Sequence, residues 1–172
     1  PEVCWPEITA SVLPELAAWP EERRDEFLFR HAQLQRSIRP LPGAVETLAT
    51  LLQQGLILGL CSNCQGYTLH EMRQAFAGTA LTLDWFHPQL RFLSFQQGYG
   101  KPAPAAFHQL RESLQAMGIA PAETLMVGDR QDNDILPAQA VGWQTWLLKD
   151  KPPLPPDGGG WRQLLKFPGL QA

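Results

Sequence analysis

Polar side chains of three chemical kinds follow three separate apolar runs of the chain. The runs are LILGLC, RFLSF and TLMV, at residues 56–61, 91–95 and 124–127. The polar residues that come after them are Ser62, Asn63, Lys101, Asp129, Asp132 and Asp134. Ligands of open parallel sheets bind beyond the carboxyl ends of the strands, so these side chains are predicted to meet at one edge. A hydroxyl, backbone amides, a cation and a carboxylate cluster suit an oxyanion and a divalent metal ion.

The first three of these residues also have ordinary structural interpretations. Ser62 and Asn63 are residue types that commonly cap the helix following a strand. Lys101 precedes a proline turn and is compatible with a solvated surface lysine. Taken one at a time, these residues favour the structural interpretation, and only their combination points to a site.

The aspartates of GDRQDND divide into two groups. Asp132, with Asn133 beside it, is interpreted as the N-cap and first-turn acid of the next helix. Asp129 and Asp134 are harder to explain in this way. Three aspartates within six residues repel one another unless a cation or a helix dipole compensates, which favours a metal ion.

Two cysteines form a Cys-x-x-Cys pair at positions 61 and 64. Such a pair is compatible with a redox dithiol or with half of a zinc site. A zinc site needs two further ligands, and Cys4 and the four scattered histidines have no ligand spacing from the pair. Cys61 is therefore interpreted as a small apolar residue that ends a buried strand.

Helices and strands are predicted to alternate along the part of the chain that carries these residues. Predicted helices cover 44–54, 66–77 and 104–117, with a short one ending at Val141, and predicted strands cover 56–61, 91–95, 124–127 and 144–148. Alternation with short connections indicates βαβ units, so the fold class is α/β with a doubly wound parallel sheet. The first strand is expected to be buried on both faces.

The two ends of the chain have a different character. Residues 7–38 have helical apolar spacing interrupted by Pro14 and Pro20, which predicts a small helical element. The segment KDKPPLPPDGGG is predicted to be a loop, and WRQLLKF after it a helical piece packed on the domain surface.

Composition argues against two kinds of partner. The formal net charge is −3 and no run of eighteen apolar residues occurs, so neither nucleic acid nor a membrane is an expected partner. Three cysteines are too few for a disulfide scaffold, and a reducing cytoplasmic location is expected.

The three strand-end motifs together resemble motifs two, three and four of the haloacid dehalogenase superfamily. They are an apolar strand ending in Ser62 and Asn63, the Lys-Pro-x-Pro-x-x-Phe segment at Lys101, and the Gly-Asp segment with Asp129 and Asp134. The resemblance spans residues 40–148. It implies a Rossmann-like core at 41–172 and a partial helical cap at 1–40.

The resemblance also implies a role for each residue. Ser62 and an amide of Asn63 would bind phosphoryl oxygens, and Lys101 would offset the repulsion between nucleophile and phosphate. Asp129 and Asp134 would hold Mg²⁺, directly or through water. The implied activity is Mg²⁺-dependent hydrolysis of a small phosphorylated metabolite through an aspartyl-phosphate.

The first motif of that superfamily, a strand ending in Asp-x-Asp, does not occur in this sequence. Asp25 lies in a helical segment and Asp84 has no partner two residues later. The chain is therefore expected to begin inside the cap of a longer protein, with a gap in the sheet beside the first strand. We expect an N-terminal peptide or a second copy to fill the gap, or the neighbouring strands to close up.

Two other functions remain open. A 2-haloacid dehalogenase shares the fold and needs no metal, so Asp129 and Asp134 argue against it. A catalytically silent member that binds a phosphate-bearing ligand or a protein would also lack the nucleophile.

Overall fold

The computed structural model describes residues 3–35, 37–149 and 151–170. The outermost residues of the predicted cap and core segments, 1–2 and 171–172, lie outside these ranges, as do residues 36 and 150. No helix in the described ranges is long and apolar enough to cross a bilayer.

Helices make up most of the first 35 residues, as the apolar spacing predicts. Helix α1 spans Trp5–Val12, a 3₁₀ turn spans Pro14–Ala18, and helix α2 spans Glu21–Gln35. The two prolines that interrupt the pattern lie at the breaks, because a proline is tolerated at a helix start but not in its interior. The division into a cap and a core domain stays a prediction.

The rest of the described chain alternates as predicted. The helices are α3 (Ala44–Gln53), α4 (Thr68–Phe76), α5 (Ser94–Gln97), α6 (Pro104–Ala116), α7 (Leu136–Ala140) and α8 (Trp161–Leu164). The strands are β1 (Leu58–Ser62), β2 (Phe86–Leu93), β3 (Leu125–Gly128), β4 (Gln144–Leu148) and β5 (Gly158–Gly159). A π-helical turn, Gln131–Ile135, joins β3 to α7.

The predicted bounds of the second strand were wrong. The strand was expected at 91–95, but β2 begins at Phe86 and ends at Leu93, and the next four residues form α5. Proline cannot donate to a ladder and is found mainly on edge strands, so the sequence around Pro88 is untypical of a strand. Here β2 is an edge strand that pairs only with β1 among the described residues.

All strand pairs are parallel, and they form two separate sheets within the described residues. One sheet has the order β1-β2 and the other β3-β4-β5. The α/β class with parallel pairing is confirmed. The alternative in which β1 and β3 close up does not occur, so each of these two strands has one edge without a strand partner in the described part of the chain.

Strand β1 is less buried than its apolar sequence predicts. Gly59 is exposed, Leu58 and Leu60 are half-buried, and Ile57 just before the strand is 51% exposed. The expectation of a fully buried strand was therefore wrong, and β1 also has one edge without a neighbouring strand among the described residues.

Two apolar clusters lie on opposite faces of the strands. One contains Phe92 of β2, Phe107 of α6 and Ala138 of α7, all at most 1% exposed. The other joins Leu51 of α3 to Trp146 of β4 and the fully buried side chain of an α8 leucine. Helices therefore cover both faces, which is the doubly wound arrangement that the alternation predicts.

The C-terminal segment is part of the core and not a surface addition. Gly158 and Gly159 pair with the end of β4 as strand β5. Leu164 of α8 is 0% exposed, and the Trp146 Nε1–H donates to the Gly159 carbonyl at 3.2 Å. A Cβ on Gly158 would lie 2.7 Å from the Leu147 carbonyl oxygen, so the close pairing requires glycine.

Candidate active site at the strand ends

A buried ion pair joins the loop before α6 to the turn after β3. The Lys101 Nζ lies 2.5 Å from Asp134 Oδ1, and the two side chains are 13% and 4% exposed. The residues are 33 positions apart in the chain. Two of the six residues that the sequence singled out are therefore in direct contact in the structure.

Asp134 is held by a second bond and by a glycine. Its Oδ2 accepts a hydrogen bond from the backbone N–H of Arg130 at 3.0 Å. A Cβ on Gly128 would overlap the Asp134 side chain, so the end of β3 must be glycine for the carboxylate to occupy this position. Both carboxylate oxygens are therefore engaged within the chain.

The side chain of Asn63 contacts the main chain of the same lysine. Asn63 Oδ1 accepts from the Lys101 N–H, and Asn63 Nδ2 donates to the Lys101 carbonyl, both at 2.7 Å. The helix-cap alternative for Ser62 and Asn63 was wrong, since α4 begins at Thr68 with Tyr67 at its N-cap position. The loop between β1 and α4 separates both residues from that helix.

The residue after Asn63 is fixed to the end of β2 by a serine that the sequence did not single out. Ser94 is 0% exposed; its Oγ accepts from the Cys64 N–H at 2.8 Å and donates to the Cys64 carbonyl at 3.2 Å. The available signal was a polar residue directly after RFL. Ser94 holds the ends of β1 and β2 together.

Ser62 is the last residue of β1 and pairs with Leu93 in the ladder. Its side chain is half-buried, and its hydroxyl makes no side-chain hydrogen bond within the described ranges. The hydroxyl is therefore available to a ligand at this edge.

The remaining aspartates differ in their surroundings. Asp129 is exposed and has no hydrogen bond or ion pair in the part of the chain that the structure describes. Asp132 pairs with Arg130, whose guanidinium lies 2.7 Å from its carboxylate. This hydrogen bond lowers the pKa of Asp132.

Two interpretations of this turn need correction. Asp132 is not an N-cap, because the residue at the N-cap position of the π-helical turn is Arg130. The repulsion argument for a metal ion was also wrong for two of the three aspartates. Arg130 pairs with Asp132 and Lys101 pairs with Asp134, whereas Asp129 has no ion pair within the described residues.

The carboxylates fit a magnesium ion only in part. No group of three His, Cys, Asp or Glu side chains that could hold a metal occurs among the described residues. Asp129 can bind an ion directly, whereas Asp134 can reach it through water, because Lys101 and Arg130 occupy its oxygens. Mg²⁺ keeps several waters and is often bound by one or two carboxylates, so this donor set fits it with at least one ligand from elsewhere.

Cys61 lies at the same edge, near the ion pair. Burial raises the pKa of its thiol to about 11; the Lys101 charge acts in the opposite direction, and Asp134 adds to the rise. Redox-active thiols have a lowered pKa. Cys61 therefore lacks the thiolate character of a redox-active cysteine, and its structural interpretation is favoured.

We expect Cys61 to react slowly with iodoacetamide at pH 8. A rise of the pKa from 9.0 to about 11 lowers the thiolate fraction at that pH about 100-fold. Cys4 is exposed and provides the internal comparison. Peptide mass spectrometry over time measures both rates, and equal rates at the two cysteines would contradict the expectation.

A cavity of about 270 Å³ lies beside Asn63, between the N-terminal segment and α4. Its lining includes Trp5 and Ile38 from the N-terminal part and Thr68 and Glu71 from α4. Lys101 and the aspartates do not line it. Of the strand-end residues that the sequence singled out, Asn63 lines this cavity, and the expected meeting of all six at one edge stays a prediction.

Comparison with known proteins places this arrangement in a family. A glyceraldehyde 3-phosphate phosphatase of Pyrococcus furiosus is 32% identical over 112 residues, which are 65% of this chain and 43% of that protein. A phosphoserine phosphatase of Thermus thermophilus is 33% identical over 149 residues, which are 84% of this chain and 55% of that protein. The chain spans about half the length of the curated relatives it matches.

Solved structures show the same fold at lower identity. One is a haloacid dehalogenase family enzyme of Bacteroides thetaiotaomicron in complex with magnesium and inorganic phosphate. It is 19% identical to this chain with a TM-score of 0.60, and the match covers 83% of this chain and 69% of that chain. A 2-haloacid dehalogenase of Pseudomonas syringae is 23% identical with a TM-score of 0.59, covering 92% and 67%. These likenesses concern the fold alone, which does not determine the reaction.

The family model for haloacid dehalogenase-like hydrolases matches residues 10–142, a range that contains all three strand-end motifs. The same residues that the sequence singled out thus lie within the matched region and, in part, in contact with one another. This chain belongs to the haloacid dehalogenase-like hydrolases.

Proposed function

We propose that this chain carries the anion-binding and metal-binding groups of a Mg²⁺-dependent phosphatase that acts on a small phosphorylated metabolite. The observation that carries the proposal is the buried Lys101–Asp134 pair, and the Ser62 hydroxyl and the exposed Asp129 at the ends of β1 and β3 add to it. The curated relatives, a glyceraldehyde 3-phosphate phosphatase and a phosphoserine phosphatase, support a small phosphomonoester as substrate.

Each residue has a distinct part in this proposal. The Ser62 hydroxyl donates to a phosphoryl oxygen, and the Lys101 ammonium, held by Asp134, offsets the negative charge near phosphorus. Asp129 binds the metal directly. A bound Mg²⁺ would neutralise charge on the phosphoryl group and orient it for in-line attack. The nucleophilic aspartate of the proposed aspartyl-phosphate route lies outside these residues.

The edges of β1 and β3 support a further part of the proposal. A strand between them, from an N-terminal peptide or a second copy of the chain, would pair both edges. We propose a cytoplasmic location, where a reducing environment keeps Cys4, Cys61 and Cys64 as thiols.

Turnover of p-nitrophenyl phosphate tests the proposed function. We expect no turnover by residues 1–172 alone, and Mg²⁺-dependent turnover by the product of the full reading frame. In that product, Lys101→Met is expected to lower kcat/KM by about 100- to 1,000-fold, because one preorganised charge at the anion is lost.

Phosphatase turnover that persists in a chelator would reject the metal-dependent route. Two other outcomes would favour the other candidate functions. Chloride release from 2-chloropropionate without metal would indicate a dehalogenase. Binding of orthophosphate with no turnover of either substrate by the full product would indicate a silent binding protein.

A further inference from the structure

Both polar atoms of the Asn63 side chain are hydrogen-bonded to the main chain of one residue, Lys101. The Oδ1 atom accepts from the Lys101 N–H and the Nδ2 atom donates to the Lys101 carbonyl, each at 2.7 Å. Two bonds between a planar carboxamide and the main chain of a single residue fix its orientation as well as its distance. The Asn63 side chain is thus engaged with Lys101, although the residue itself is exposed.

Asn63 is attached to a rigid part of the molecule. It directly follows β1, and its neighbour Cys64 is bonded through both backbone groups to the fully buried Ser94, the residue directly after β2. Two strand ends therefore determine where the carboxamide lies. A side chain can hold another residue in place accurately when its own position is fixed by neighbouring contacts.

Lys101 needs to be held in this way. Its ammonium is carried on a flexible four-carbon stem, so the position of the charge depends on the main chain and on the partner of the ammonium. Asn63 fixes the main chain, and Asp134 fixes the Nζ atom at 2.5 Å. Contacts run without interruption from the end of β1 through Lys101 to the turn after β3.

We infer that the side chain of Asn63 is a positioning group that holds Lys101 at the anion site and does not itself bind the phosphoryl group. The substrate-binding role expected from the sequence belongs to the backbone amide of Asn63 and stays a prediction. The inference rests on the proposed function for the identity of the anion, but the contact between Asn63 and Lys101 can be tested independently of any anion.

Orthophosphate binding to the 172-residue chain tests the inference through a double-mutant cycle in the presence of Mg²⁺. Asn63→Ala is expected to weaken binding about tenfold, since the bonds that hold the charged group are lost. Lys101→Met is expected to weaken binding at least as much. If Asn63 acts through Lys101, the double variant binds no more weakly than Lys101→Met. Multiplied effects would show that Asn63 contacts the anion itself and would overturn the inference.

A matched control distinguishes this contact from general loosening of the loop. Gln109→Ala removes the hydrogen bond that Gln109 Oε1 accepts from the Tyr99 hydroxyl at 2.8 Å, two residues before Lys101. This variant loosens the same loop without touching the lysine. Its orthophosphate affinity is expected to stay within about twofold of wild type, and a loss equal to that of Asn63→Ala would overturn the inference.

The ¹³Cε signal of Lys101 gives a readout without any ligand. The signal is assigned by its loss in Lys101→Met, and we expect it to move in Asn63→Ala but not in Gln109→Ala. Asn63→Asp keeps the acceptor for the Lys101 N–H and should move the signal less; it also serves if Asn63→Ala does not fold. An unmoved signal in both Asn63 variants would overturn the inference. Absence of orthophosphate binding by the wild-type chain would count against the proposed function instead.

Discussion

Asp134→Asn is expected to lower the free energy of unfolding by about 3–5 kcal/mol, because removing one partner of a buried ion pair leaves the other charge uncompensated. The Lys101 side chain is 13% exposed and loses the carboxylate that lies 2.5 Å from its Nζ. Asparagine has nearly the same shape and can still accept from the Arg130 N–H, so the change isolates the charge. Chemical denaturation at pH 7 measures the loss, which is a large part of typical domain stability.

Asp129→Asn provides the matched control for this change. Asp129 lies in the same turn but is exposed and without an ion-pair partner in the described residues. Its replacement should change stability by no more than about 0.5 kcal/mol. A second check is the double variant with Lys101→Met, which buries no charge at either position and should recover part of the lost stability. Equal effects of the two single aspartate changes would contradict the role of the buried pair.

Gly128→Ala is expected to lower the free energy of unfolding by about 3 kcal/mol, the upper end of the usual range for overpacking. The new Cβ would overlap the Asp134 side chain. Strand β3 cannot move away, because Gly128 pairs with Leu147 of β4. The gain of about 0.4–1 kcal/mol from a less flexible unfolded chain is smaller than this cost.

Gly66→Ala is the control for the glycine change. A Cβ at Gly66 would have its nearest neighbour, a Phe95 ring carbon, at an ordinary contact distance of 3.7 Å. Denaturation midpoints of the two variants separate a specific overlap from a general effect of replacing glycine. The Lys101 ¹³Cε signal should move in Gly128→Ala only, since the displaced carboxylate is the partner of that lysine. If the Gly128→Ala variant were as stable as the Gly66→Ala variant, the turn after β3 would move to accommodate the new Cβ without loss of stability. This outcome would contradict the prediction.

The alternation of helices and strands was readable from the sequence because apolar spacing and glycine stops act within a few residues. Helix α3 and strand β4 have bounds within one residue of the expected ones. The predicted bounds of strand β2 were wrong because a proline such as Pro88 is untypical of a strand. Strand β5 was missed because a two-residue glycine strand has no apolar pattern. Its pairing depends on a close approach to β4 that only the folded chain creates.

The sequence by itself determined which chemical groups stand at the strand ends, since residue types and their order after each apolar run are local properties. Only the tertiary structure decided the partner of each group. Asn63 and Lys101 are 38 positions apart, and Lys101 and Asp134 are 33 apart, so no local pattern predicts these contacts. Whether a carboxylate is free for a metal ion depends on such distant neighbours, which is why Asp129 and Asp134, alike in the sequence, differ in the structure.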